Sequence, residues 1–112
     1  MPKIEDLELT GASRTIYTFE VYPLETTLSK HGAVFAITKM TKTSGGTDHI
    51  RIFIGETNCL RGIVQSHSSK PCFTAARANC ICVHGESDRE NRVRIVGDLL
   101  AGDGWTCNPR PR

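Results

Sequence analysis

Several side chains in this 112-residue chain are of types that do chemistry. Thiolate and imidazole are zinc's preferred donors, and Cys72, Cys80, Cys82, Cys107, His67 and His84 offer six of them. Their spacing argues against a zinc site. Cys80 and Cys82 flank a single residue, so on a strand they point to the same face, and the familiar zinc knuckles space their cysteines differently. Cysteine acting as a small buried apolar residue is the simpler reading, and no metal is expected. His67, His84 and Asp98 could serve a relocated acid–base site, although nothing in their spacing demands one. Arg51, Arg61, Lys70, Arg77, Arg92 and Arg94 are candidate phosphate contacts, weighed against the commoner case of basic residues scattered over a solvated surface.

Composition narrows what these residues can serve. The length allows one domain with one modest core. Fourteen basic and twelve acidic side chains leave a net charge of +2, too small to announce a nucleic-acid partner by itself. No apolar run is long enough to span a bilayer, and the first residues, MPKIEDLELT, lack the basic-then-apolar order of a secretion signal. A soluble, cytoplasmic protein without membrane contact is therefore expected. Five cysteines are an odd number in a chain without an export signal, which points to reduced thiols over a disulfide framework.

Turn signals divide the chain into strands and two main helices. LELTGASRTIYTFEVYPL reads as a hairpin around GAS, with Ile16, Thr18, Glu20 and Tyr22 on one face and Tyr17, Phe19 and Val21 on the other. PLETTLSKHG is a polar connection. GAVFAITKMTK is apolar enough to lie inside a sheet, and after the turn TSGGTD the alternation of Ile50, Ile52 and Ile54 against His49, Arg51 and Phe53 predicts a second core strand paired with it.

After Gly55 the period changes. Thr57 or Asn58 can cap a helix, and Leu60, Ile63, Val64 and His67 then share one of its faces, with Gly62 weakening it. SSKPCFTAARA follows as a loop with about one helical turn. NCICVHGE is a further strand, with Ile81 and Val83 facing one way and Cys80, Cys82 and His84 the other. Ser87 with Glu90 three residues on predicts a capping box, opening a helix with Val93, Val96, Leu99 and Leu100 on its inner side. Gly102 and Gly104 end it, and GDGWTCNPRPR forms a tail anchored by Trp105.

This order of elements, with AVF at 33–35, FIG at 53–55, Thr57 and Leu60 at the turn and helix start, and DLL followed by CN near the end, resembles the GIY-YIG nuclease superfamily. The upstream LTGASRTIYTFEVYPLETT is similar to the N-terminal strands of small bacterial proteins of that superfamily, so the resemblance covers nearly the whole chain. It implies an α+β fold: a three-stranded antiparallel core sheet flanked by helices over 32–112, with an additional N-terminal β-hairpin and connection over 1–31 packed on it as one globular unit. It also implies, in an active member, a tyrosine that helps activate water, an arginine on the first helix that steadies charge on the phosphate, and a glutamate on the later helix that holds Mg²⁺ or Mn²⁺.

At each of those positions this chain departs from the family. Both tyrosine positions hold phenylalanine, Phe35 and Phe53. The arginine position, eight residues after Gly55, is Ile63, and Arg61 would point about 200° away on a helix. The glutamate position, three residues before Leu99, is Val96, with Asp98 about 200° away. His67 matches a histidine position common in the family, or simply completes the helix's inner face, and Asn108 matches its terminal asparagine. Losing one charge-stabilising group costs roughly 10²- to 10³-fold in rate, and losing the metal ligand removes another means of stabilising the phosphate.

The resemblance thus implies a catalytically degenerate, non-cleaving nuclease relative with no cofactor. It would retain nucleic-acid binding to DNA or RNA through the six basic residues. A second reading is an interaction or regulatory module in which a former active-site cleft lined by Phe35, Phe53, Ile63 and Val96 meets a protein partner or a second copy. The third is a weakly active metal-dependent nuclease.

Overall fold

The computed structural model describes residues 3–102 and 104–109. Residues 1–2, 103 and 110–112, the last four of which belong to the expected tail, lie outside the described set. Alternating residues build β1 (Glu5–Thr10) and β2 (Ile16–Pro23), which pair antiparallel from Glu5↔Val21 to Thr10↔Ile16. β3 (Ala33–Thr43) and β4 (Gly46–Thr57) form the central hairpin, and β5 (Cys80–Gly85) pairs with both β2 and β3. The result is one antiparallel sheet of order β1-β2-β5-β3-β4 in an α+β fold. The expected N-terminal hairpin is therefore not an addition packed on a three-stranded core. It continues the sheet, because β2 finds its partner in β5.

The sheet curls until its two edge strands touch through side chains. The Glu5 carboxylate on β1 accepts from Thr47 Oγ1 at 2.8 Å and lies 2.8 Å from His49 Nε2, both on β4. Inside this curl, Leu9, Phe19, Val21, Val34, Ala36, Ile54, Cys80 and Cys82 form a core closed by α3 (Arg89–Ala101) through Ile95 and Leu99. The other face of the sheet carries a second core, in which Phe35, Ile37, Ile52, Phe53 and Ile81 pack under Leu60 and the short helices α1 (Ile63–Ser66) and α2 (Lys70–Ala75).

Four local expectations need correction. The strict alternation along β4 fails at a bulge: Ile37 pairs with Phe53 but Thr38 pairs with Arg51, leaving Ile52 as the extra residue. Ile52 and Phe53 consequently enter the same core, Ile54 enters the other, and Ile50 is 55% exposed. The first helix is also shorter than its periodicity suggests. Gly62 adopts φ 74° and starts α1 only at Ile63, while Thr57 forms a tight side-chain turn with Cys59 instead of a helix cap.

The third correction concerns α3, whose N-cap is Asp88, accepting from Glu90 N at 3.1 Å, and not Ser87. Its inward residues are Arg92, Ile95 and Leu99, with Val93 47% and Leu100 39% exposed. The helix is rotated because Arg92, 4% exposed, is drawn inward. Its Nε donates to Glu56 Oε1 at 2.9 Å and its Nη1 donates to the carbonyls of Glu86 and Ser87 at 3.0 and 2.9 Å. The space it fills is kept open by Gly32, where a β-carbon would stand 2.6 Å from Nη1.

Fourth, the thiols are not all reduced: Cys72 of α2 is bonded to Cys107 of the tail. A stable bridge fits a compartment that permits oxidation, so the cysteine count no longer argues for the cytoplasm. The tail follows the outer edge of β4, with Cys107 N donating to Ile52 O at 2.7 Å and the Asn108 carboxamide exchanging two 2.9 Å bonds with the backbone of Ile54. Trp105 anchors it as expected, donating Nε1–H to Leu99 O at 3.1 Å beneath the Arg51 guanidinium. No helix among the described residues is long and apolar enough to cross a membrane.

Closing a loop across 35 positions removes unfolded-state entropy. Urea unfolding with and without reductant is expected to show a loss of about 2–4 kcal/mol on reduction, matched by Cys107→Ser. A pH effect follows from Glu5, whose carboxyl His49 and then Thr47 hold below its ordinary value. Its contribution is present above the ordinary carboxylate range and is lost as pH falls through the depressed folded value. Glu5→Gln is therefore expected to flatten the acid limb of a pH–stability curve.

Candidate functional site

The family-signature positions do not converge on one site. Phe35, Phe53, Ile63 and His67 do come together, as part of the second core: the His67 ring lies 4.7 Å from Phe53, 5.4 Å from Phe73 and 6.1 Å from Phe35. Phe35 and Phe53 are buried in that core, while Ile63 is only partly buried. Burial pushes the pKa of His67 down, and its Nδ1 accepts from Ser69 N at 3.0 Å, which fixes the neutral ring with its proton on Nε2. Val96, by contrast, packs with α3 in the curl on the opposite face of the sheet. Asn108 serves the β4 edge.

The six basic residues are also dispersed. Arg92 is buried and paired, which removes it as a phosphate contact. Arg61, with Nε donating to Leu28 O, and Lys70 and Arg77, at the two ends of α2, belong to the side covered by the short helices. Arg94 is exposed on α3, and Arg51 lies over Trp105. Among the described residues no three of His, Cys, Asp and Glu gather as metal ligands. The proposed zinc donors are separated by the bridge and the sheet, and burial pushes the Cys82 thiol up to about 12, far from a reactive thiolate.

A different group of residues forms a cleft. α3 presents Asn91, Arg94, Ile95 and Asp98 at i, i+3, i+4 and i+7, one stripe of a helix. Facing them are Tyr17 of β2, His84 and Glu86 at the end of β5, and Ser13 and Thr15 of the β1–β2 turn, lining an open cleft of about 600 Å³. The turn is held in place by Asp98. Its Oδ1 accepts from Ser13 N at 2.8 Å, and its Oδ2 accepts from Ser13 Oγ at 2.6 Å and Tyr17 OH at 2.7 Å. Gly11 makes room for this approach, since a β-carbon there would meet Oδ2 at 2.1 Å.

His84 packs edge-on to Tyr17 and against Phe19, and its Nδ1 lies 2.9 Å from Thr18 O. A carbonyl only accepts, so Nδ1 carries a proton, and Nε2 is the position left to accept in the uncharged tautomer. Of the three residues considered for a relocated site, the structure therefore joins His84 and Asp98 and excludes His67. Tyr17, Ser13, Glu86 and Asn91 were missed as site residues, although the polar stripe 91, 94, 98 on the last helix was legible as a face without apolar purpose. A smaller cavity of about 300 Å³ lies beside Glu56, Thr57, Asn58, Arg89 and Arg92.

Hydrogen bonds from Ser13, then Tyr17, hold the Asp98 carboxyl below the usual carboxylate range. Its stabilising effect is present above that range and lost as pH falls through the depressed folded value. Asp98→Asn is expected to loosen the 11–15 turn, read as faster amide exchange at Ala12 and Ser13, while Leu99 stays protected. No family model, curated protein or solved structure shows significant similarity to the chain.

Proposed function

We propose that the chain is a GIY-YIG-like protein that binds and does not cut. The likeness is supported by the order of elements: β3 and β4 form a hairpin, FIG leads out of β4 toward α1, and β5 lies antiparallel against β3 ahead of the capped α3. The observation that carries non-cleavage is the placement of Ile63 and Val96. The two positions that the resemblance aligns with the arginine and the glutamate are apolar and pack on opposite faces of one sheet, so they cannot meet at one phosphate, and that separation counts against the alignment. Phosphodiester hydrolysis needs positive charge and an activated oxygen at a single phosphate. The aligned positions supply neither.

The proposed partner is nucleic acid, held weakly through surface cations. With Arg92 committed to Glu56 and the other five divided between two sides, few phosphates can be contacted at once.

Incubation of the purified protein with single- and double-stranded DNA and RNA in Mg²⁺ or Mn²⁺ is expected to leave the substrates intact. The quadruple change Phe35→Tyr, Phe53→Tyr, Ile63→Arg and Val96→Glu is expected to leave them intact as well. Fluorescence anisotropy is expected to show binding that weakens between about 50 and about 200 mM salt with a shallow slope. Metal-dependent cutting by the wild-type chain overturns non-cleavage, and absence of binding at low salt overturns the nucleic-acid partner.

A further inference from the structure

The cleft beside α3 has an uneven distribution of hydrogen-bonding capacity. On the strand side the protons are already committed inward: Tyr17 OH and Ser13 Oγ donate to Asp98, and His84 Nδ1–H donates to Thr18 O. What these groups still offer a guest is acceptor capacity, the Tyr17 oxygen and His84 Nε2. Glu86 adds to it, because among the described residues its Oε2 alone is engaged, by Asp88 N at 3.0 Å. The α3 side is the reverse. Arg94 Nη2 donates to Asn91 Oδ1, which leaves the Asn91 amide N–H groups and the rest of the guanidinium as donors. Between the two sides lie the Tyr17 ring and the buried Ile95.

We propose that this cleft binds a small zwitterion of amino-acid to dipeptide size, its ammonium against the Glu86–His84–Tyr17 side and its carboxylate against Arg94 and Asn91. The carboxylate matches the planar guanidinium, the ammonium has three donors for a wall of acceptors, and an apolar side chain is accommodated by Ile95 and the Tyr17 ring. A phosphate ester fits less well. Among the described residues one guanidinium faces it, and the carboxylates of Glu86 and Asp98 line the same cavity. The site is independent of the nuclease likeness, since none of the signature positions lines it.

The test is a titration of the full chain with leucyl-leucine, its N-acetyl form and its C-terminal amide, followed by amide NMR shifts, with AMP and inorganic phosphate as controls. Saturable shifts confined to residues 13–17, 84–86 and 91–98 are expected at ~1–10 mM, the affinity range of exposed charge contacts. Blocking either terminus is expected to weaken binding about tenfold. Arg94→Ala is expected to erase the preference for free acid over amide, and Glu86→Gln the preference for free amine over acetylated amine. Both lie at the surface, and the shifts of core amides report that each variant is folded. No saturable shift, equal binding of the blocked forms, or preferential binding of AMP or phosphate overturns the proposal.

Discussion

The interaction on which most of the arrangement depends is the inward-facing guanidinium of Arg92. A charged group out of water is costly unless it is paired and hydrogen-bonded, and here Glu56 on β4 and the carbonyls of Glu86 and Ser87 take three of its five N–H donors. The pairing joins β4, the loop between β5 and α3, and α3 itself at one point. It also fixes how α3 is rotated. With Arg92, Ile95 and Leu99 turned inward, the neighbouring stripe of Asn91, Arg94 and Asp98 must face the β1–β2 turn.

The curled sheet then acts as a partition. Side chains on its two faces cannot share a reacting atom, whatever their separation in sequence. His67 and Ile63 fall on the side of the short helices, His84 and Val96 on the side of α3. The partition is why two histidines that look equivalent in sequence have different situations: one is clamped neutral among phenylalanine rings, the other lines a polar cleft.

Much of the scaffold was legible because its signals are local. The strands from Ile16, Ala33 and Cys80, the turn at Ser44–Gly45 and the last helix follow from alternation, glycine and capping chemistry within a few residues. What sequence could not supply was set by distant partners. The bulge at Ile52 is invisible to a period-two count. A buried arginine inverts the amphipathic reading of α3, since charge normally marks the outer face. Cys72 and Cys107 pair because the tail lies beside α2, a proximity that spacing alone does not encode. The cleft is not legible in sequence for the same reason: its residues come from a turn, two strands and a helix, brought together by the β2–β5 pairing, the rotation of α3 and the bonds of Asp98 to Ser13 and Tyr17.

The tail's course along β4 bears on how the molecule avoids its own copies. An outer strand with unpaired peptide groups invites another chain to add to the sheet, the first step toward stacked, fibril-like assemblies. Here the peptide groups of Ile52 and Ile54 are occupied by Cys107 and by an asparagine side chain that imitates a neighbouring backbone. The covalent link to α2 keeps this false strand from peeling away. A sulfur–sulfur bond far from any chemistry thus acts as a latch on colloidal behaviour.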